Sequence, residues 1–223
     1  FSVFLRIQPT TGDPSGLRSY AVFLLVTLLP WQFHVTSLTE ATRSITANGP
    51  LITKIWFPRW VLPTSAVLAR FLTLLVEMAV LLVLIAVLEG HFAFAWIPVV
   101  LTLMALQLLF TVGLALMVSA ANVYFRDVQH FLGVALAPWM FLTPILYPLN
   151  MVPEDREFLG IGYRTLYQLN PMVSWAKAYR NALYDLRFPS AERWLAIVVA
   201  TVVVLAVGFR IFRRLEPRMA EEV

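Results

Sequence analysis

The sequence of 223 residues contains no cysteine and little charge. Without cysteine it can form neither disulfides nor thiolate metal sites. Its three histidines, His34, His91 and His130, are far apart, and none has a ligand partner three or four residues further along the chain, so we expect no metal site. Only 13% of the residues are charged whereas 60% are hydrophobic, which excludes an ordinary soluble domain and indicates an integral membrane protein.

Signatures of common catalytic chemistry are missing as well. The chain has no G-x-x-x-x-G-K-[ST] phosphate loop, no H-E-x-x-H and no G-x-S-x-G motif, which argues against nucleotide hydrolysis and the common hydrolase reactions. The net charge of +4 does not indicate nucleic-acid binding, because the basic residues stand at the ends of apolar runs and form no continuous polar face. We therefore expect no catalytic residues, no cofactor bound by this chain and no nucleic-acid partner.

Long apolar runs dominate the sequence, and five of them approach or exceed the length of about 20 helical residues that crosses a bilayer. The run from Val128 to Tyr147 contains Pro138 and Pro144, so we expect it to be bent or broken. The predicted fold class is all-α, a polytopic transmembrane helical bundle with about five complete spans. The predicted spans are Ser19 to Leu38, Thr64 to Leu88, Ala95 to Ala121, Val128 to Tyr147 and Trp194 to Phe212.

The stretch from Glu40 to Pro63 separates the first two predicted spans. It carries Arg43, Lys54 and Arg59 with Glu40 as its only acid, and such a basic excess is typical of a cytoplasmic loop. Alternation of the spans then places the turn at Arg126 and the basic tail in the cytoplasm as well. The Glu89 turn and the aromatic segment 148–192 are expected on the outer side.

A short amphipathic helix is predicted inside this basic stretch. Asn48 and Gly49 suit a helix cap and Pro50 suits the first turn, while Pro58 pushes the preceding Phe57 out of helical geometry. We interpret the segment as a lever at the membrane surface, and the alternative is an ordinary interfacial connector. The apolar residues that recur on one face of the predicted helix are Leu51, Ile52, Ile55 and Trp56.

Two ionisable residues interrupt the second predicted span. Arg70 and Glu77 are two helical turns apart and so project from nearly the same face, with Arg70 close enough to the end to reach the headgroups. Glu77 lies too deep, and a single carboxylate is too few for a proton relay. If the protein is a transporter, we expect its energy to come from another subunit that presses on the lever.

Three segments together closely resemble the permease subunits of ABC type-2 exporters. They are Ala47 to Pro63, Asn122 to Pro148, and Asn170-Pro171 followed by Arg180. The resemblance covers Ser19 to Phe212. It is to the branch that exports lipid-linked polysaccharides such as O-antigen and teichoic acid, and it implies a role in lipopolysaccharide or teichoic acid biosynthesis.

This resemblance implies a homodimer of six-span subunits in the bacterial inner (cytoplasmic) membrane. An ATP-binding cassette subunit beneath each half would bind ATP and Mg, and the substrate would be a lipid-linked polysaccharide. Residues 1–223 would form one permease domain, with a coupling segment at 40–63 and an outer gate of short re-entrant helices within 148–192. Since the chain starts with Phe rather than Met, we expect it to be N-terminally truncated, with Phe1 to Ile7 ending a first span.

The resemblance also carries roles over to particular residues. The family's coupling helix corresponds to Ala47 to Phe57, whose apolar residues would enter a cleft of the ATPase. Lys54 and Arg59 would contact either that partner or the headgroups of membrane lipids. We expect Arg126 and Asp127 to form a charge-assisted pair that fastens the second cytoplasmic turn, with contact to the ATPase as the alternative.

Aromatic residues are the candidates for lining the glycan path, because a sugar ring offers an apolar face that packs on Tyr or Trp. An interfacial aromatic belt is the competing interpretation. Glu77 would face the dimer or the pore, or pair within the bundle. The candidate aromatic residues are Trp139, Phe141, Tyr147, Trp175 and Tyr179.

Two other functions compete with polysaccharide export. A drug or small-lipid exporter of the same superfamily would share the lever but would not need an aromatic route long enough for a polymer. A membrane-embedded glycan-processing enzyme or scaffold is the alternative of another class, and the missing acid, base and metal clusters argue against the enzyme.

Overall fold

A computed structural model describes residues 11–90, 93–148, 157–158, 161–162, 167 and 169–219. The predicted end of a span at Phe1 to Ile7 lies outside the described residues. Helices make up most of the described chain, together with an antiparallel pair of two-residue strands, β1 (Glu157–Phe158) and β2 (Ile161–Gly162). The α-helices are α1 (Tyr20–Ser44), α2 (Gly49–Lys54), α3 (Val61–Glu89), α4 (Ile97–Tyr124), α5 (Val128–Phe141), α6 (Pro171–Arg180) and α7 (Ala191–Leu215).

Four helices, α1, α3, α4 and α7, are long and apolar enough to cross a membrane. This confirms the all-α, polytopic membrane fold. About half of the apolar window in α1 and α4 is buried, compared with 22% in α3 and in α7. Much of the described surface of α3 and α7 is therefore not covered by this chain and is available to lipid or to another subunit.

The fifth apolar run forms a helix of 14 residues, α5, that contains Pro138. At 1.5 Å per residue it is about 21 Å long, less than the roughly 30 Å of bilayer hydrocarbon. It ends at Phe141, before Pro144, which has no N–H to donate and disfavours helical geometry in Thr143. The predicted break is confirmed.

The chain divides into two compact units. We call the first the gate unit; it comprises Phe1–Pro30, Glu77–Met104 and Pro138–Ile197. The second, the lever unit, comprises Trp31–Val76, Ala105–Ala137 and Val198–Val223. The lever and the Arg126 turn thus belong to one unit, and the aromatic residues from Trp139 to Tyr184 belong to the other.

The core of the lever unit joins the lever to two spans. Ile45 and Ile52 pack with residues of α4 and α7 and with Met219 of the C-terminal segment, and Phe57 packs against the same cluster. Burial of these side chains stabilises the segment by the hydrophobic effect. The other buried members of the cluster are Leu116, Ala120, Val123 and Phe212.

Polar contacts also join helices within the lever unit. His34 Nδ1 lies 3.0 Å from Thr111 Oγ1, which joins α1 to α4, and His34 stacks on Phe110. Farther along the same two helices, Asn122 Nδ2 donates to the Thr42 carbonyl over 3.0 Å. Such hydrogen bonds are a common way of joining helices in membranes, where burial of apolar surface gives little preference for helix contact over lipid contact.

In the gate unit, α6 supplies the core. Asn170 is its N-cap, accepting from Met172 N over 3.1 Å, and Pro171 occupies the first turn, as predicted. A π-helix, Asn181–Asp185, continues α6, and Tyr184 OH donates to the Leu17 carbonyl of the N-terminal loop over 2.9 Å. The predicted apolar stripe is confirmed, since its members are all buried: Val173, Trp175, Ala176, Tyr179, Ala182 and Leu183.

Candidate functional site

The lever contains the predicted short helix, but the helix ends earlier than expected. Asn48 is its N-cap and Pro50 lies in its first turn. The helix stops at Lys54, and Ile55 is already extended, so the predicted end at Phe57 was wrong. Beyond the end of the helix, Phe57 packs against the buried cluster, a long-range contact that the local periodicity does not reveal.

The apolar residues of the lever divide between core and surface. Ile52 is 6% exposed and anchors α2, whereas Leu51, Ile55 and Trp56 are 40%, 57% and 92% exposed. The single amphipathic face predicted for all four therefore does not form, because Ile55 and Trp56 follow the end of the helix. We call these three exposed residues the apolar tip. A tip of this kind on an anchored segment suits contact with another protein.

The C-terminal segment holds the base of the lever. Glu216 Oε1 accepts a hydrogen bond from the Arg59 backbone N–H over 3.0 Å, and the Arg59 guanidinium donates to the Glu216 carbonyl. Arg59 N lies just before α3, where backbone N–H groups lack helical partners and a carboxylate is favourable. Sequence reasoning missed Glu216, since nothing local links it to a residue 157 positions away.

Charged side chains on α1 and α3 also meet beside the lever. Arg70 forms an ion pair with Glu40, the only acid of the lever stretch. Glu77, in contrast, is half-buried and pairs with no described residue, so the expectation that it pairs within the bundle is not met in the described chain. A half-buried carboxylate in a span is available to a partner outside this chain.

The turn that contains Arg126 and Asp127 is not held by the ion pair that we predicted. Arg126 and Asp127 are exposed, and they form no ion pair with each other or with any other described residue, which corrects the expected charge-assisted pair. Adjacent residues in a turn do not face each other. Instead, Asn122 Oδ1 accepts from Gln129 N over 3.2 Å at the start of α5, while its amide group donates to Thr42.

In the gate unit, the broken end of α5 leaves carbonyl groups that no helix satisfies. Side chains from other segments donate to them. Asn170 Nδ2 donates to the Leu142 carbonyl over 3.2 Å, and Tyr20 OH donates to the Leu146 carbonyl over 3.0 Å. Asn170 Oδ1 also accepts from Trp139 Nε1 over 3.1 Å. One asparagine therefore caps α6 and holds both sides of the break in α5.

Arg180 is the central donor of this arrangement. Its Nη2 lies 2.7 Å from the Ile145 carbonyl and its Nη1 lies 3.4 Å from that of Tyr147. The guanidinium carbon is 3.8 Å from the ring centroid of Phe23, a cation–π contact. Arg180 lies outside the four spans, and burial lowers its pKa to about 10, so it remains protonated at neutral pH. We call Asn170, Arg180 and the carbonyls of residues 142–147 the latch.

The predicted aromatic residues occupy three kinds of position. Phe141 is exposed, while Trp139 and Tyr147 are half-buried, and Tyr147 OH contacts Tyr167 OH at 2.9 Å. Trp175 and Tyr179 are fully buried, so they offer no ring face to a sugar in this arrangement and have a packing role. Lining of a glycan path stays a prediction for Trp139, Phe141 and Tyr147.

The helices and the anchored surface segment between two of them define a multi-pass membrane protein. Residues 2–184 match the ABC-2 type transporter family, and the chain belongs to that family. It is a transport permease rather than an enzyme, and membership implies partnership with an ATP-binding subunit.

Curated relatives resemble the chain over most of its length. It is 32% identical to the O-antigen export system permease protein RfbA of Myxococcus xanthus. The matched stretch of 208 residues covers 93% of this chain and 78% of the relative. An O-antigen export system permease protein RfbA of Klebsiella pneumoniae is 30% identical, and the match covers 99% of this chain and 79% of that relative. The polysialic acid transport protein KpsM of Escherichia coli is 26% identical, and the match covers 90% of this chain and 75% of that relative.

Proposed function

We propose that this chain is the membrane-spanning subunit of an ATP-driven exporter that moves a lipid-linked polysaccharide outward across the bacterial cytoplasmic membrane. The relatives that export O-antigen or transport polysialic acid support a polysaccharide as the substrate. In this proposal the subunit works as a homodimer. The chain binds no cofactor, and ATP and Mg are bound by the partner ATP-binding cassette subunits.

The observation that carries this proposal is the apolar tip on its anchored base. Ile52 and Phe57 hold the segment against α4 and α7, whereas Ile55 and Trp56 are exposed. A force applied to the tip is therefore transmitted to spans through packed side chains rather than absorbed by a loose loop. Closure of the ATPase dimer would push the tip and tilt α1 and α3, which flank it in the sequence.

The charges near the tip support a cytoplasmic position for it. Lys54, the last residue of α2, is exposed, and Arg213 and Arg214 end α7. Basic residues at the ends of spans favour the cytoplasmic side of a membrane. The partner that uses ATP would be on the same side.

The gate unit would control the outer end of the path. The latch fixes the irregular segment that follows α5, and this segment carries Tyr147 just beyond the exposed Phe141. Aromatic rings beside a fixed backbone offer apolar faces to successive sugar rings. Rearrangement of the latch during transport would let a polymer pass between two copies of the chain.

We expect the pair of substitutions Ile55→Asp and Trp56→Asp to abolish polysaccharide export. Two carboxylates on the tip would have to be desolvated in an apolar cleft, which costs several kcal/mol per ion. Surface polysaccharide is measured in cells that depend on this permease, with membrane amounts of the permease checked by immunoblotting. ATP hydrolysis by the isolated partner should be unchanged.

A matched conservative pair, Ile55→Leu and Trp56→Phe, keeps the tip apolar and should retain export. Unchanged export by the Asp pair at normal membrane levels would contradict the proposed coupling. ATP-independent activity of the purified chain on a lipid-linked sugar would favour a glycan-processing enzyme instead.

A further inference from the structure

A cavity of about 580 Å³ lies between the lever and the C-terminal end of α7. Its walls include Trp60, which directly precedes α3, and Arg213, in the last turn of α7. α7 has 25 residues and is about 37 Å long at 1.5 Å per residue, so its ends extend beyond the roughly 30 Å of hydrocarbon. We therefore expect the cavity to lie at the level of the lipid headgroups.

Three cationic side chains line this cavity: Lys54, Arg59 and Arg213. Among the described residues of the wall, Glu216 is the only acidic one, and its Oε1 accepts from the Arg59 backbone N–H. Three positive charges against one negative charge leave an excess of two. The Arg213 guanidinium carbon lies 4.8 Å from the ring centroid of Phe209, which orients this cation on the surface of α7.

We propose that the cavity binds the phosphate of an anionic phospholipid headgroup. Guanidinium and ammonium groups are strong donors to phosphate oxygens, and basic pockets beside spans on the cytoplasmic side are suited to anionic headgroups. Trp56 and Trp60 border the same cavity, and tryptophan is favourable at the level of the headgroups. The bound lipid would bridge the base of the lever and the end of α7.

An acidic side chain of the ATP-binding subunit is the competing occupant. The lipid is favoured because two walls of the cavity are the ends of membrane spans, Trp60 at α3 and Arg213 at α7. The apolar tip, the surface we assign to the ATPase, includes Trp56, a residue that is 92% exposed. A lipid in the cavity would leave that outward ring surface available.

The test compares two neighbouring arginines of the same helix end. Both are exposed, but Arg213 lines the cavity and Arg214 does not. The purified protein in neutral detergent is titrated with dioctanoyl phosphatidylglycerol, and bound lipid is counted by native mass spectrometry. We expect Arg213→Gln to weaken binding about fivefold and Lys54→Gln with Arg213→Gln about 30-fold, from the attraction of an anionic headgroup for each basic residue. Arg214→Gln should weaken it less than twofold.

Dioctanoylglycerol, which lacks the phosphate, should not bind detectably, and millimolar inorganic phosphate should not displace the lipid. Equal losses for Arg213→Gln and Arg214→Gln would overturn the proposal, as would displacement by inorganic phosphate. Loss of the ATP-binding subunit from Arg213→Gln with lipid binding unchanged would also overturn it, in favour of a protein contact. The lipid titration needs neither ATP nor export, so its outcome is separate from that of the proposed function.

Discussion

Replacing Gly208 with alanine is expected to destabilise the protein by about 2 kcal/mol or more. Gly208 in α7 lies against the backbone of Gly113 in α4, so an added Cβ would clash with the Gly113 carbonyl. In the reverse direction, a Cβ on Gly113 would lie 2.7 Å from the Val204 carbonyl and 2.8 Å from Leu205 N. Backbone atoms cannot move aside as a flexible side chain can, so the two helices must separate.

This glycine contact matters because small residues at a helix crossing are a main source of helix association in a membrane. Separation of α4 from α7 would loosen Leu116 and Phe212, members of the cluster that anchors the lever. We therefore expect the Gly208→Ala protein to lose both stability and export. Its unfolding midpoint in detergent, measured by thermal scanning fluorimetry, should fall by about 5 °C.

Gly133 provides a matched control for the glycine substitution. It lies in α5, and a Cβ there would meet no atom within 4 Å. Alanine is favoured over glycine in a helix by about 1 kcal/mol, so Gly133→Ala should leave the midpoint unchanged or raise it. A midpoint for Gly208→Ala equal to that of Gly133→Ala would show that the helices do not meet through glycine backbones.

Features of the fold that depend on nearby residues could be predicted from the sequence. The break in α5 follows from Pro138 and Pro144, and the start of α6 follows from Asn170 and Pro171. The buried stripe of α6 follows from helical periodicity. In each case the residues that determine the structure lie within two or three helical turns of one another.

Features that depend on distant segments were missed. Phe57 packs against the buried cluster beyond the early end of α2, Glu216 binds Arg59, and Asn122 replaces the expected pair at the Arg126 turn. Gly113 and Gly208 are 95 residues apart in the sequence and meet where α4 and α7 cross. A single sequence gives no signal for these contacts, because the residues involved are brought together only by the packing of the helices.

Replacing Arg180 with methionine is the second change for which we expect a large effect, a loss of about 3 kcal/mol of stability together with loss of export. Methionine keeps the length and apolar stem but removes the donors to the Ile145 and Tyr147 carbonyls. Ile145 would keep only the Thr27 hydroxyl, 3.4 Å away. A buried carbonyl without a good donor costs about 1 to 3 kcal/mol, and more where lipid replaces water.

Arg187→Met is the control, because it removes the same charge from the same unit at an exposed position. It should change stability by less than about 0.5 kcal/mol. Arg180→Lys should be intermediate, since one ammonium cannot span two carbonyls and stack on Phe23 as a planar guanidinium does. Equal midpoints for Arg180→Met and Arg187→Met would contradict the latch.

A double-mutant cycle with Asn170→Ala distinguishes a shared latch from two separate anchors. Asn170 holds Leu142 and Arg180 holds Ile145, three residues farther along the same irregular segment. If the segment is held as one unit, the loss of either side chain releases it. The second substitution then lowers the free energy of unfolding by less than it does in the otherwise unchanged protein. We expect a coupling of about 1 kcal/mol between the two, whereas independent anchors would give additive losses. Both side chains donate to backbone carbonyls of one irregular segment, so we expect the broken helix to need Asn170 and Arg180 together.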